Sequence, residues 1–293
     1  MKLQISSSEI TNSTILFTVK HLIKNWEDHL LIIIVLYKIK LTDSSAFKSL
    51  EKCFTKNTII FIYDNSPQPQ VIDHKLNKKI IYRHDSSNPG VSKAYNEGHR
   101  SARLNEKKWI MLWDQDSTCP ENLPILFSKA ITSNPNQEIF VPIMKDNLGI
   151  ISPFEFRWGR GSRLKNASPG NWSFRDYKFI NSGMLISTSL FEKCNGYDEQ
   201  FPLDFSDLVF IKRIMNHYSN FILVGTTCRH RLSSSTNSLH QTLSRFEIYV
   251  RSSRIYGKAY GNVFLQRVQT LLRSLKLSMQ FYEIRFLFIL FKN

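Results

Sequence analysis

The sequence predicts an α/β fold, an open and mostly parallel sheet with flanking helices, followed by a helical C-terminal extension. Three observations carry this. Runs such as HLLIIIVLYKIK (29–40) are continuously apolar and β-branched, the pattern of a strand covered on both faces. Between residues 30 and 114 such runs alternate with helical stretches, the order of parallel βαβ units. From Arg231 to Asn293 the spacing turns helical, with ten basic residues against two acidic. The division expected is 1–230 for the sheet domain and 231–293 for the basic extension.

The elements follow in order. The apolar run Leu30 to Tyr37 is the first strand. DSSAFKSLEKCF follows as a helix, with Asp43 or Ser44 as N-cap and Phe47, Leu50 and Phe54 on one face. NTIIFIYDNSPQP is a strand and a turn, KIIYRHD a short strand, residues 92–104 a helix, and WIMLWD (109–114) the next strand. Beyond Ile139 the strands are EIFVPIM, KFINSGMLIS and NFILVGTTCRH, with DLVFIKRIMNHYS as a helix. SPFEFRWGRGSRLKNASPGNWSF (152–174) reads as one long loop.

Composition sets limits. Hydrophobic residues make up 42% of the 293, enough for a substantial core, so global disorder is excluded. The net charge of +15 calls for a polyanionic partner: nucleic acid, an anionic membrane face or a phosphorylated substrate. More than half of that excess lies in the tail and is not interleaved with aromatics over one surface, so nucleic acid is not expected. The four cysteines (Cys53, Cys119, Cys194, Cys228) form no Cys-x-x-Cys pair and read as reduced packing thiols of a cytosolic protein. MKLQISSSEITNSTILF lacks the pattern of a signal peptide. The longest early apolar run has eight residues, whereas a membrane-spanning helix needs about 20.

Chemistry concentrates at strand ends. Open parallel sheets bind ligands beyond the carboxyl ends of their strands. Asp64 and Asn65 follow IIFIY, and Asp114 and Asp116 follow WIMLW, so both acidic pairs fall on one rim. Two residues apart on extended backbone, Asp114 and Asp116 point the same way and suit Mg²⁺ or Mn²⁺. Alternatively they decorate a helix start, because Thr118-Cys119-Pro120-Glu121 fits a capping box. In NPGVSKAYNEG (88–98), Ala94 and Gly98 share a helix face that lets the backbone approach a ligand, or the sheet, closely.

Taken in order, YDNS (63–66), NPGVSKAYNEG (88–98), WDQDS (113–117), NSGMLIS (181–187) and GYDEQFPLDFSD (196–207) resemble the inverting family-2 glycosyltransferases. The likeness is greatest to the rhamnosyltransferase-type members of bacterial surface-polysaccharide pathways, and it covers roughly residues 29 to 255. The resemblance implies a GT-A fold, a nucleoside-diphosphate sugar donor such as dTDP-rhamnose, and a glycan or lipid-linked acceptor. It implies that Asp64 bonds the pyrimidine base, that Asp114 lies near ribose and metal, and that Asp116 binds the metal bridging the diphosphate. Tyr37, Asn65, Asn88, Gly90, Asn96 and Gln115 complete the implied nucleotide-sugar set, and His230 closes over the diphosphate or metal. Asp207 matches the general base. Pro202 and Ser206 depart from the family pattern, which leaves Asp204 as the competing base, with Asp207 favoured.

These residue types fit inverting transfer. A carboxylate must take the acceptor hydroxyl proton, and the departing diphosphate gains charge that a divalent cation neutralises. Asp204 and Asp207 also stand where acids would favour the start of a helix. Arg160 and Arg163, in WGRGSR, suit a phosphate-bearing acceptor or a solvated loop. Arg251 and Arg254 match a stretch of the rhamnosyltransferase-like members and are expected beneath the acceptor side.

In the tail, Phe264, Leu265, Val268, Leu271, Leu272 and Leu275 form one apolar side among basic residues. That side fits docking on an anionic membrane from the cytoplasm, or burial against the catalytic domain or a homodimer partner. Two other classes are weighed against a glycosyltransferase. A nucleotidyltransferase would want a glycine-rich phosphate loop after the first strand, and LYKIKLTDSS has no glycine. A nucleic-acid-binding protein without catalysis would want the compact basic surface that the sequence lacks.

Overall fold

The computed structural model describes residues 26–72, 79–231 and 238–291. The expectation concerning the first 17 residues lies outside them. Strand β1 (Leu30–Leu36) is buried along its whole length. Its alternate residues enter two different cores. Leu31, Ile33 and Val35 face Ala94, Tyr95 and Ala102 of helix α2 (Val91–Leu104). Leu30, Ile32 and Ile34 face Phe47 and Leu50 of α1 (Ser45–Cys53) and Phe127 of α3 (Leu123–Ser133). Helices on both faces explain why the run is uninterrupted; each such side chain contributes roughly 1.5–3 kcal/mol of transfer free energy.

Strands β2 (Ile59–Asp64), β3 (Lys79–His84) and β4 (Trp109–Asp114) run parallel to β1 in the order β3-β2-β1-β4. The sheet continues through β12 (Leu185–Ser187), β6 (Ile139–Asp146), β13 (Asn220–His230) and β10 (Gly170–Ser173). Here β12 is antiparallel to both neighbours, whereas β13 is parallel to β6. Two short strands attach at the side: β5 (Ser117–Thr118) on β13 and β7 (Gly149–Ser152) on β6.

Several local expectations need correction. Residues 152–174 are not one loop. They contain β8 (Phe154–Arg157), β9 (Arg160–Arg163) and β10, and β8 and β9 join β11 (Tyr177–Lys178) in a second, three-stranded sheet. Thr118 caps no helix; α3 starts at Leu123 behind Asn122, whose side chain makes no capping bond. The 178–187 run splits, because Gly183 takes a positive φ of 85° and only Leu185–Ser187 is strand in its second half. Ser44 rather than Asp43 caps α1, accepting from Phe47 N–H.

After α4 (Thr188–Lys193) and α5 (Ser206–Ile214), the chain ends in α6 (Leu239–Ala259), α7 (Val263–Phe281) and α8 (Arg285–Ile289). Helices α6 and α7 lie side by side, but α7 packs with the face opposite to the apolar one. Its buried residues are Gln266, Thr270 and Ser274, joined to α6 through Ser253, whose hydroxyl meets Thr270 Oγ1 at 2.8 Å and Gln266 Oε1 at 3.3 Å. Among the described residues no helix is long and apolar enough to cross a membrane.

Candidate active site

The parallel register builds the rim. At the end of β1, Val35 pairs with Asp114 of β4 and Leu36 with Asp64 of β2, so the two aspartates flank one strand end. Beyond Asp114 the chain turns, and β5 pairs antiparallel with the end of β13, setting His230 opposite Ser117. That pairing delivers a residue more than a hundred positions away to Asp116. His230 Nδ1 lies 3.4 Å from Asp116 Oδ1 and 2.8 Å from Ser117 Oγ. One donor atom each from Asp114, Asp116 and His230 lies within 4.8 Å of the others. Two carboxylate oxygens and an imidazole nitrogen, partly buried on a rim, are a donor set suited to Mg²⁺ or Mn²⁺.

Burial pushes the Asp116 carboxyl up, with Asp114 adding to the effect and the nearby His230 and Arg245 opposing it. Two carboxylates held this close gain from a divalent cation between them. Asp114 is itself oriented: Tyr95 O–H donates to its Oδ1 at 3.1 Å, and its backbone N–H donates to Ser182 Oγ. Gln115 bridges to the first strand, accepting from Tyr37 N–H at 2.7 Å, which leaves the Tyr37 ring half-exposed beside the triad's turn.

Asp64 is different. Its carboxylate is fully buried and accepts from Ser66 N–H, Gln70 Nε2 and Tyr82 O–H. Burial alone would raise this carboxyl; the hydrogen bonds outweigh it and hold it below the usual range. In this conformation Asp64 shapes the 65–70 turn. Asn65, beside it, leaves a buried Oδ1 with no partner among the described residues.

The helix motif divides in the same way. Gly98 packs against β1, where a Cβ would come 2.4 Å from Ile33 Cδ1. Gly90 has φ 94°, and a Cβ there would lie 2.1 Å from Pro202 O. Val91 N–H donates to that same carbonyl at 2.7 Å. Asn96 accepts from Tyr197 N–H and donates to Tyr197 O and Glu199. Gly90 and Asn96 thus hold the 197–202 segment, while Asn88 stays exposed in the turn before the helix.

That segment leads to the acids of LDFSD. Phe205 adopts a left-handed φ of 68° and places Asp207 in the first turn of α5. Burial, with Asp204 and Asp114 adding to it and the Leu208 N–H opposing, pushes the Asp207 carboxyl up to about 6. Neither acid caps the helix: the N-cap is Phe205 and makes no side-chain bond. Asp204 meets Arg273 of α7 at 3.9 Å through Oδ1, and its Oδ2 is buried with no partner among the described residues. Arg273 lies 3.9 Å over the Tyr249 ring, and Phe205 stacks on both Tyr249 and Tyr256 of α6. The C-terminal helices therefore clamp the loop that carries Asp207.

Arg163 forms a two-pronged ion pair with Asp146 at 2.6 Å, and Arg160 is exposed on the same small sheet. Arg251 is exposed on α6, and Arg254 donates to Leu290 O. Sequence reasoning missed Tyr95, Ser117, Ser182, Asn181 and Arg245. Asn181 accepts from Tyr197 O–H and donates to Ser206 Oγ, and Ser182 accepts from Asp114 N–H, so NSGMLIS supports both the LDFSD loop and the turn after β4. The place of NSGMLIS in the chain order pointed to Asn181 and Ser182.

Comparison of the whole architecture identifies the fold. GalNAc-T7, solved with UDP, GalNAc and Mn²⁺, aligns with a TM-score of 0.55 at 13% identity, over 78% of this chain and 49% of its own. S. aureus TarS aligns with a TM-score of 0.50 at 12% identity, over 84% of this chain and 43% of its own. The fold is that of the GT-A glycosyltransferases. The chain spans about half the length of GalNAc-T7 and less of TarS. No known protein-family pattern matches the sequence, and neither does any curated protein. Asp114 ends β4 at its carboxyl end, where open α/β sheets hold ligands, and its charge reaches Asp207.

Proposed function

We propose that the chain transfers a sugar from a nucleoside-diphosphate donor to an acceptor hydroxyl, inverting the anomeric centre. The observation that carries this is the meeting of Asp114, Asp116 and His230 beside a separate carboxyl, Asp207, whose affinity for a proton is raised. A bound Mg²⁺ or Mn²⁺ would supply positive charge to the departing diphosphate. Asp116, Asp114 and His230 would hold that cation, with Tyr95 and Ser117 fixing the orientation of their side chains. The rim around Tyr37, Asn65 and Gln115 receives the nucleotide. Asp207 takes the proton from the attacking hydroxyl as the new glycosidic bond forms and the bond to the diphosphate breaks. Asp207 is favoured over Asp204, because Arg273 and the tail already engage Asp204.

The motif order supports rhamnose from dTDP-rhamnose as the sugar. It also supports a lipid-linked or growing surface polysaccharide as acceptor, reached by a protein peripheral on the cytoplasmic membrane face. A metal-bridged donor also agrees with the UDP and Mn²⁺ of GalNAc-T7, a property of that protein carried here as part of the proposal.

The test separates the two centres. Nucleoside diphosphates with Mn²⁺ are expected to raise the melting temperature of the wild type, and chelation to abolish the rise. Asp116→Asn should remove that stabilisation, whereas Asp207→Asn should keep it and lose transfer by on the order of 10²–10⁴-fold. Near wild-type transfer by both variants sinks the proposal.

A further inference from the structure

The packing of α7 leaves its apolar side outward. Phe264, Val268, Leu271, Leu275 and Met279 recur at spacings of three and four residues and form one stripe, widened by Leu272. Phe264 and Met279 are each 76% exposed and Leu272 60%, so this stripe is not a core face with occasional gaps. It lies opposite the buried Gln266, Thr270 and Ser274. The surface continues over α8, where Phe286 and Ile289 are buried against α6 but Phe288 and Phe291 point outward.

A second element reaches the same place. The turn between β8 and β9 seats on the flank of α7: Gln269 Nε2 donates to Trp158 O at 3.1 Å, and a Cβ on Gly159 would lie 3.4 Å from Leu265 Cδ2. The Trp158 side chain itself is 87% exposed. A tryptophan beside an amphipathic helix is the side chain that settles at the boundary between lipid headgroups and water.

Charge decides what covers this surface. By helical spacing Arg267 and Lys276 border the stripe on its two edges, and α7 contains no acidic residue. Glu283, in the turn after it, is paired with Arg285. A second copy laid face to face would bring like-charged edges together with no acid on α7 to relieve them. An anionic headgroup layer neutralises both edges while its acyl region receives the stripe.

We propose that the outward face of α7 and α8, with the Trp158 turn, docks on an anionic lipid bilayer. The surface commits two separate parts of the chain, the small sheet and the C-terminal helices, to one plane. It rests on the glycosyl-transfer proposal for its purpose, which is to bring the rim to an acceptor carried in the membrane. Arg157 and Arg160, exposed on either side of the turn, then face headgroups.

The test is co-sedimentation of the full chain with vesicles of phosphatidylcholine alone and of phosphatidylcholine with phosphatidylglycerol. The wild type is expected to pellet with the anionic vesicles only. Phe264→Ser with Leu272→Ser, and separately Trp158→Ala, should weaken binding on the order of tenfold or more, because each removes an inserted apolar side chain. These side chains are exposed, so melting curves should match the wild type. Arg267→Gln with Lys276→Gln should flatten the dependence of binding on salt.

A wild type that stays in the supernatant with both vesicles overturns the proposal, as do apolar variants that pellet like the wild type. Equal pelleting with neutral vesicles overturns the anionic requirement. Light scattering that shows a dimer, dissolved by Phe264→Ser with Leu272→Ser, together with no vesicle binding, hands the face to a second copy. Nucleotide-dependent stabilisation is measured without vesicles. Its loss strikes the catalytic proposal alone, and loss of pelleting strikes this one alone.

Discussion

Asp207 makes its own pH prediction. As the base proposed above, Asp207 must be ionised to act, so kcat/KM should climb as the pH rises through about 6 and level off above it. Stability runs the other way. The folded carboxyl holds its proton more tightly than the unfolded one. Its contribution is therefore full below the ordinary carboxylate value of about 4 and is lost as the pH rises through about 6. Asp207→Asn should raise the melting temperature at neutral pH and not in acid. The gain should be on the order of 1 kcal/mol, once partial exposure is allowed for. A variant no more stable at neutral pH would show that the carboxyl is not perturbed. Asp114 and Asp116 were legible in the sequence because a two-residue spacing after an apolar strand has few structures open to it. Tyr95 was not, because a tyrosine on an apolar helix face reads as core, and its hydroxyl meets Asp114 only through the fold.

Among the elements, α2 and the LDFSD loop are bound through Gly90. Its φ of 94° and the 2.1 Å approach to Pro202 O leave no room for a side chain. Gly90→Ala is expected to cost about 1–3 kcal/mol of stability, from backbone strain and displacement of the loop. It should also lower kcat by more than it changes donor binding, since Asp114, Asp116 and His230 are held by other contacts. A steady-state split between kcat and KM measures this, and an unchanged kcat would separate Gly90 from the loop that carries Asp207. The strands of the first half were legible, because continuous burial demands continuous apolar sequence. The β8–β10 region was not: its strands have four residues each and are largely exposed, so no periodicity marks them. Cys53 and Cys119 read as distant thiols and come to 3.3 Å across the α1–β5 contact, a long-range pairing that spacing does not encode.

For the whole molecule, the division at residue 230 is the expectation most exposed to test. Phe205 stacks on Tyr249 and Tyr256, and Asp204 meets Arg273, so the extension takes part in shaping the LDFSD loop. A chain ended after Arg231 should lose on the order of a hundredfold in transfer to a water-soluble acceptor, because Asp207 is no longer held in place. Full activity of that shortened chain would make the boundary a true domain limit. The sequence located the tail's apolar side correctly but left open whether it is covered; tertiary packing chose the polar side for contact. That choice bears on how the hairpin behaves when its surroundings change. Phe246, Tyr249 and Val250 of α6 meet Leu277 and Phe281 of α7 in an apolar cluster, but the stretch joined by Ser253, Thr270 and Gln266 draws little of its cohesion from the aversion of oil for water. Such a seam does not loosen when the medium turns apolar; fewer waters compete for its hydroxyls, and its hydrogen bonds strengthen. That stretch of the α6–α7 hairpin is thus assembled in the manner of helices that meet inside a bilayer, although neither helix is long and apolar enough to span one.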